Sequence, residues 1–386
     1  MRSSLLTDRK NFTAPPLYDK WLILTLVIII ALGLLMMTSA SIVISDKLYH
    51  QPFYFLIKQL IFLTAGLGLG TLIFRIEMNQ WEHVGGYLLL GVMLLLALVL
   101  IPGVGHSVNG STRWIGIGPL GFQVSELTKF AVVVYIAGYL VRRNAEIQQK
   151  LTGFLKPMLI LGVIAVLLLR EPDFGATVVV LTTTLGMMFL AGMRLQHFIT
   201  LLGLAVSALA VIAISAPYRL LRLTSFMDPW ARPFDSGYQL TQSLIAFGRG
   251  GFFGTGLGKS VQKMLYLPEA HTDFLFAVIA EELGLFGTLC IIGLFLLLTC
   301  RILFIGRKAQ RLCLHFSGFL AYGLGLWIAI QFIVSMGVNT GLLPTKGLTL
   351  PLMSYGGSSL LVNCIAIALI LRIDYENRLH QLGITS

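Results

Sequence analysis

Long apolar runs recur along the whole chain, and the first of them extends from Trp21 to Ile44. A run of about 18 or more apolar residues is long enough to cross the hydrocarbon core of a membrane as a helix. Only helices and closed barrels satisfy their backbone hydrogen bonds in lipid, and the alternating segments of about ten residues typical of a barrel are not seen in this sequence. The sequence therefore predicts an all-α polytopic membrane protein.

The composition supports this class and argues against others. Only 12% of the residues are charged and the mean hydropathy is +0.85, whereas soluble domains carry about 25% charged residues. We attribute the net charge of +11 to basic residues in cytoplasmic loops, since no nucleic-acid-binding motif accompanies it. The cysteines have no CxxC spacing and predict neither a disulfide nor a metal site: they are Cys290, Cys300, Cys313 and Cys364.

Ten candidate spans can be delimited in the chain. About twenty polar residues precede the first apolar run. That run is too long for the apolar region of a cleavable signal, so we interpret it as a membrane span. The predicted spans are 21–44, 55–74, 84–101, 124–141, 157–169, 174–192, 198–217, 273–300, 316–339 and 351–371.

The distribution of Lys and Arg predicts the orientation. Basic residues cluster in the N-terminal tail, after the fourth span and after the eighth span, and these segments lie on one side if ten spans are present. The positive-inside rule makes that side the cytoplasm. We therefore expect a single membrane domain over 1–386, with cytoplasmic tails at 1–20 and 372–386 and a large extracytoplasmic loop at 218–272.

The loop at 218–272 is long and basic. Long loops translocate largely regardless of charge, so its basic residues do not conflict with the predicted orientation. A loop of this length without its own fold is usually functional, and positive charge at the outer leaflet suits an anionic lipid phosphate. A solvated loop with incidental charge is the alternative. Its basic residues are Arg219, Arg222, Arg232, Arg249, Lys259 and Lys263.

The stretch LPEAHTDFLF (267–276) places polar side chains where the eighth span begins. Thr272 or Asp273 can cap the helix by accepting hydrogen bonds from its free amides, and the residues alone favour this interpretation. A carboxylate at the outer membrane boundary can also act as a general base. His271 is a candidate proton partner, although a histidine in a loop is more often solvated.

Charged residues also mark the starts of other spans. In VSELTKF, Glu126 and Lys129 are three residues apart, so they share a helix face and can form an ion pair. The pair either anchors the helix or serves the function, and the residues alone leave both interpretations open. In REPDFG (170–175), Asp173 is expected to cap the sixth span.

Glu281 and Glu282 lie two to three turns inside the predicted eighth span. Unpaired charges at such a depth are expensive, so these residues must face the bundle, be protonated or find partners. Lys58, in the second span, is one possible partner. A role in helix packing and a role in a substrate pathway are both open.

Several stretches of the chain resemble the SEDS family of RodA, SpoVE and FtsW. They are STRWIGIG (111–118), VSELTKF (124–130), DPW (228–230), the segment 237–285 and LPLMSYGGSS (350–359). The resemblance covers essentially the whole chain, in the family's motif order, and SLIAFGRGG and YLPEAHTDF look most like the FtsW branch, which serves cell division. The chain departs from the pattern at Val124, where many members have proline, and in its short tails.

The resemblance implies a ten-span peptidoglycan glycosyltransferase of the inner membrane. Such enzymes polymerise lipid II, a disaccharide-peptide on undecaprenyl pyrophosphate, at the outer face of the membrane, together with a class B penicillin-binding transpeptidase. Asp273 matches the essential aspartate of the family's PEAHTDF-type motif, so the resemblance makes it the expected catalytic residue. Glu126 and Lys129 match the glutamate and lysine of the SEL-x-K motif.

The resulting mechanistic hypothesis makes Asp273 the general base of an inverting transfer. Positive charge at the leaving pyrophosphate is expected from Lys129, held by Glu126, and from loop arginines. Mg²⁺ or another divalent cation, where one is needed, is expected to be shared with the pyrophosphate, since no dedicated metal cage is visible. The candidate substrate-binding residues are Glu126, Lys129, Arg222, Arg232, Arg249 and His271.

Two other functions stay open. A lipid II flippase would use Glu281, Glu282 and Lys58 along a polar path across the membrane. A scaffold that only recruits the transpeptidase and other division proteins to the septum would not require Asp273. The clustering of charged residues at the outer boundary favours the enzyme.

Overall fold

Each predicted apolar run overlaps a helix in the computed structural model. The structure describes residues 18–108, 111–117, 120–149, 152–214 and 225–383, so Arg222 lies outside the described residues. The helices are α1 (Lys20–Tyr49), α2 (Tyr54–Phe74), α3 (Met78–Val99), α4 (Val124–Arg142), α5 (Asn144–Gln149), α6 (Thr152–Arg170), α7 (Phe174–Leu190), α8 (Leu195–Ile214), α9 (Tyr238–Gly250), α10 (Leu275–Arg311), α11 (His315–Asn339) and α12 (Gly357–Gln381).

Within the described residues, seven helices are long and apolar enough to cross a membrane, namely α1, α2, α3, α4, α10, α11 and α12. Helix α7 and the part of α8 up to Leu204 are shorter apolar helices. A helical, multi-pass membrane protein is therefore confirmed.

Helix bounds differ from the predicted spans near the C-terminus. Helix α10 begins at Leu275 and continues to Arg311, well beyond the predicted span of 273–300. Helix α12 extends to Gln381, into the predicted tail of 372–386, because ion pairs four residues apart support its last turns. These pairs join Arg372 to Glu376 at 2.7 Å and Asp374 to Arg378 at 2.9 Å.

A small antiparallel sheet between α3 and α4 departs from the all-α prediction. Its strands are β1 (His106–Val108), β2 (Ser111–Ile117) and β3 (Leu120–Gln123), in the order β1-β2-β3. In β2 and β3, Trp114 pairs with Gln123 and Ile115 with Phe122. Aromatic and β-branched residues in this segment favour strands, and its glycines disfavour a helix. The sheet leads directly into α4.

Helix α4 is the most enclosed of the candidate spans. In its apolar window 83% of the residues are buried, against 11% for α2. It packs against α3, α7 and α11, while α10 packs mainly on α11 and α12 on α2. The first turns of α4 therefore lie inside the protein rather than against lipid.

Part of the long loop before α10 packs into a break in that helix. Gly284 has a φ of 68°, and loop amides and carbonyls replace the helical hydrogen bonds lost there. Thr255 N donates to Glu281 O at 2.9 Å, and Leu285 N donates to Gly251 O at 3.0 Å. A Cβ atom at Gly284 would collide with the loop backbone, so the close approach requires glycine. The interpretation of the whole loop as solvated is therefore wrong.

Glu282 is fully buried and paired by residues from two other elements. Lys263 Nζ lies 2.7 Å from Glu282 Oε1, and Ser39 of α1 donates its hydroxyl to the same carboxylate at 2.8 Å. Lys263 Nζ also donates to Ser39 Oγ at 2.8 Å. The loop thus supplies the cation that this carboxylate needs in order to be buried.

Glu281 is satisfied in a similar way. Its carboxylate accepts hydrogen bonds from Ser260 Oγ at 2.5 Å and from Val261 N at 3.0 Å, and Arg249 Nε lies 3.4 Å from Oε1. Lys58, the partner considered from the sequence, instead lies over the ring of Tyr54 at 4.6 Å. The packing interpretation of the two glutamates is the one that these contacts support.

We predict that Lys263→Met destabilises the folded protein by about 3–5 kcal/mol, because it leaves the Glu282 charge buried without its cation. Glu282→Gln in the same chain should restore most of the loss. Thermal unfolding in detergent measures both effects. Lys259→Met is the matched control, since Lys259 is exposed in the same loop. A Lys263→Met variant with wild-type thermal stability would contradict the prediction.

Candidate active site

Asp273 lies two residues before the start of α10, and its side chain does not cap that helix. Asn339, at the end of α11, caps it instead: its Oδ1 accepts from Ala277 N at 3.1 Å, and its Nδ2 donates to Asp273 O at 2.9 Å. Thr272 Oγ1 donates to the Glu269 carboxylate at 2.6 Å. The capping interpretation of Thr272 or Asp273 is therefore wrong, and the carboxylate of Asp273 is left for another role.

The surroundings of Asp273 adjust its protonation. Burial raises the pKa of its carboxyl from 3.8 to about 7, and the negative charges of Glu269 and Asp173 act in the same direction. Arg113 opposes them and lowers this pKa. The residue nevertheless keeps some accessible surface. Near neutral pH the group can therefore hold or release a proton, which is the property that a general base needs.

The connection between α11 and α12 runs across Asp273. A Cβ atom on Gly347 would lie 2.6 Å from Asp273 Oδ2, so only glycine allows the chain to pass this close. The neighbouring Lys346 places its Nζ 4.8 Å from the centre of the Phe174 ring. The connection thus brings a second cation to the part of the bundle where Asp173 and Arg113 lie.

Asp173 caps α7, as predicted, and also ties three elements together. Its Oδ1 accepts from Ala176 N at 3.1 Å. Its Oδ2 accepts from Ser125 Oγ at 2.8 Å and lies 3.7 Å from a guanidinium nitrogen of Arg113. The capping residue therefore also holds Arg113, which the sequence analysis did not single out although it stands in the STRWIGIG motif.

Glu171, in the turn between α6 and α7, is fully buried. Among the described residues, neither of its carboxylate oxygens has a hydrogen-bond partner. Burial, followed by the nearby charge of Asp173, raises its pKa from 4.5 to about 8, although Arg113 opposes the shift. The backbone carbonyl of Glu171 accepts a hydrogen bond from Arg113 Nε at 3.2 Å. Glu171 is therefore a neutral acid at physiological pH.

Glu126 and Lys129 form a buried ion pair at the start of α4, at 2.8 Å. Lys129 is only 2% exposed, and its Nζ also donates to Gln331 Oε1 at 2.8 Å. Gln331 in turn accepts from Trp327 Nε1 at 2.9 Å and donates to Thr349 O at 3.0 Å. The pair is thereby connected to the segment that covers Asp273, two residues beyond Gly347. The sequence signal that could have pointed to Gln331 is its position as a polar residue inside an otherwise apolar helix.

The remaining predicted site residues lie in different surroundings. His271 is buried rather than solvated, with ring centres 4.6 Å from Phe55 and 5.7 Å from Tyr355. Burial lowers the pKa of its imidazole, so the ring is neutral. Arg249 faces Glu281, and Arg232 is exposed.

A bundle of long apolar helices with ionisable side chains gathered at one end defines a multi-pass membrane protein with a polar site at that end of the bundle. The family model described as "Cell cycle protein", which covers FtsW, RodA and SpoVE, matches residues 19–379. The chain belongs to this family, as the resemblance implied.

Relatives and solved structures agree. The chain is 56% identical to "Probable peptidoglycan glycosyltransferase FtsW" of Legionella pneumophila, over 100% of this chain and 98% of the relative. It is 55% identical to the protein of that name from Coxiella burnetii, over 95% and 99% of the two chains. A chain from a peptidoglycan synthase complex that coordinates polymerization and crosslinking matches with a TM-score of 0.76 and 29% identity, over 93% of this chain and 98% of that one. RodA of Thermus thermophilus matches with a TM-score of 0.69 and 28% identity, over 95% and 99%.

We predict that Glu171→Gln raises stability increasingly as the pH rises from about 5 to about 8. In this window the unfolded wild type loses the Glu171 proton while the folded protein keeps it, so folding becomes less favourable by up to about 1.4 kcal/mol per pH unit. The glutamine variant lacks this loss, and the gap should level off above the folded pKa of about 8.

Thermal unfolding at several pH values measures the gap. Glu77→Gln is the control, since Glu77 is exposed. A constant difference between wild type and Glu171→Gln would contradict a buried, neutral Glu171.

Proposed function

We propose that this protein is a peptidoglycan glycosyltransferase that polymerises lipid II at the outer face of the cytoplasmic membrane, for septal wall synthesis in cell division. The observation that carries the proposal is the state of Asp273: its carboxyl group does not cap α10, burial raises its pKa to about 7, and it lies at the end of the bundle where the other ionisable groups gather. The names of relatives that are more than half identical over nearly their whole length support the same reaction.

In the proposed reaction Asp273 takes the proton from the acceptor sugar hydroxyl. The freed oxygen attacks the anomeric carbon of the donor sugar, the bond from that carbon to the pyrophosphate breaks, and the configuration inverts. A base with a pKa near the working pH combines a high ionised fraction with useful basicity. The backbone at Gly347 lies against the Asp273 carboxylate, where any side chain would collide with Oδ2.

The leaving undecaprenyl pyrophosphate needs positive charge more than a proton donor. Arg113 acts on Asp273 electrostatically, and Lys346 is the residue before Gly347 in the connection that runs across Asp273. We therefore add these two cations to the proposed pyrophosphate-binding residues. Lys129 contributes its charge from a buried position, held by Glu126 and Gln331. Arg222, Arg232 and Arg249 remain proposed contacts from the long loop.

A divalent cation fits this site only as a companion of the substrate. In the described parts of the chain, no group of three or more His, Cys, Asp or Glu side chains is placed to hold one. Hard cations prefer several oxygen ligands, which the pyrophosphate would have to supply. No step of the proposed reaction is routed through a metal.

The proposed topology has ten spans, both termini in the cytoplasm and residues 218–272 outside. Three further helices, α6, α7 and α8, complete the ten with the seven long apolar ones. Under this topology Asp273, Glu126 and Glu171 all lie at the outer boundary. The proposed partner is a class B penicillin-binding transpeptidase at the septum, since a structural relative comes from a peptidoglycan synthase complex.

The flippase alternative gains little from the intramembrane glutamates. Glu281 and Glu282 are enclosed by the loop and paired with Arg249 and Lys263, so they hold the loop to α10 rather than line an open path.

We predict that Asp273→Asn lowers polymerisation of labelled lipid II by about 100-fold to 10,000-fold, the usual contribution of a general base. Purified protein with its transpeptidase partner is assayed for glycan chain length. Asp235→Asn is the matched control, because Asp235 is an exposed carboxylate of the same loop. Wild-type chain formation by a folded Asp273→Asn variant would contradict the proposal. Translocation of lipid II without any polymerisation would favour the flippase.

A further inference from the structure

We propose that the end of α10 opposite Asp273 binds the phosphate headgroup of an anionic phospholipid. A cavity of about 290 Å³ lies there between the last turns of α10 and the end of α12. Its lining residues are Phe304, Arg307, Lys308, Arg311, Leu312 and Gln381. The inference rests on the proposed topology, which puts this end at the cytoplasmic leaflet, but not on the proposed reaction.

The position of the cavity along α10 corresponds to the membrane boundary. The apolar run of α10 that follows the break at Gly284 extends to Gly306, and its one charge, Arg301, is neutralised by Asp19 at 3.0 Å. Arg307 is the next residue, so the helix leaves the hydrocarbon region there. Phe304, one turn earlier, is 57% exposed and lies at the level of the lipid chains.

The cations of the cavity share one helix face with that phenylalanine. Arg307, Lys308 and Arg311 follow Phe304 by three, four and seven residues, which is the spacing of a single helical stripe. Arg307 and Arg311 are exposed, and Lys308 is half-buried. The phenylalanine ring lies on the membrane side of the three cations in the proposed topology. This order matches a phospholipid, whose acyl chains lie on the membrane side of its phosphate.

The acidic residues nearby form their ion pairs with other arginines, although Asp374 and Asp19 also attract Lys308 at longer range. Across the described chain, none of Arg307, Lys308 and Arg311 lies within ion-pair distance of a carboxylate. The acids at this end are already paired with other arginines: Asp19 with Arg301, Asp374 with Arg378 and Glu376 with Arg372. Three positive charges therefore surround the cavity, which is the arrangement that a ligand phosphate requires.

Positive charge at the cytoplasmic boundary also sets topology, and that role alone predicts no localised lipid site. The two explanations differ in how much anionic lipid the protein should lose when the three cations that line the cavity are replaced by neutral residues. A built site loses anionic lipid when its own cations are removed, whereas a diffuse surface charge responds equally to any three.

The test titrates the purified full chain in detergent with phosphatidylglycerol or cardiolipin, and with phosphatidylcholine for comparison, and counts bound lipids by native mass spectrometry. The triple variant Arg307→Gln, Lys308→Gln and Arg311→Gln should bind anionic lipid about 100-fold more weakly. The reason is that each Lys or Arg near an anionic lipid surface contributes a similar share of the binding free energy, and the variant loses three of them. The control is Arg75→Gln, Arg142→Gln and Arg194→Gln, which removes three exposed charges from the same proposed side and should change binding less than about twofold.

A second variant separates a lipid from free phosphate. Phe304→Ala should weaken binding of the diacyl lipid and leave unchanged any binding of inorganic phosphate, because only the lipid contacts the ring. Equal loss in the two triple variants, or equal retention of phosphatidylcholine, would overturn the proposal. Displacement of the lipid by inorganic phosphate at the same concentration would overturn the lipid assignment.

Discussion

A carboxylate that leaves water must find a cation, a hydrogen-bond donor or a proton, and the architecture of this protein depends on how each buried acid meets that requirement. Glu282 binds Lys263, Glu126 binds Lys129, and Asp173 binds Arg113 and Ser125. In two of these cases the partner comes from a distant part of the sequence. The ion pairs thereby fix the long loop to α10 and the short sheet to α7, which apolar contacts alone would not specify.

Asp273 and Glu171 are the acids that meet the requirement least completely. Both have pKa values raised into the physiological range by burial. They differ in exposure: the Glu171 residue is fully buried, whereas the Asp273 residue is partly exposed. The incomplete neutralisation of Asp273 is costly for folding and useful for proton transfer, which is a common compromise at functional sites. Glu171, as a neutral acid, limits the negative charge near Asp273 without competing for a proton at neutral pH.

The sequence predicted the helical class and the Asp173 cap because these depend on local features: run length and cap residues. It could not predict that Lys263 rather than Lys58 pairs with Glu282, since that pairing requires the loop to enter a break at Gly284. It also missed the roles of Gln331 and Gly347, which arise only where α4, α10 and α11 meet. The residues alone favoured Asp273 as a cap because the residue that caps the helix instead, Asn339, lies 66 residues away along the chain.

The pH dependence of lipid II polymerisation tests the central claim most directly. It should be measured from about pH 6 to about pH 9 in Glu171→Gln protein, so that Glu171 does not titrate. The account predicts a rate that rises with pH, reaches half of its plateau near pH 7 and shifts to lower pH in Glu171→Gln/Glu269→Gln, because removing the Glu269 charge lowers the pKa of Asp273. A rate that is flat across pH 7, or a midpoint that ignores Glu269→Gln, would contradict Asp273 as the base.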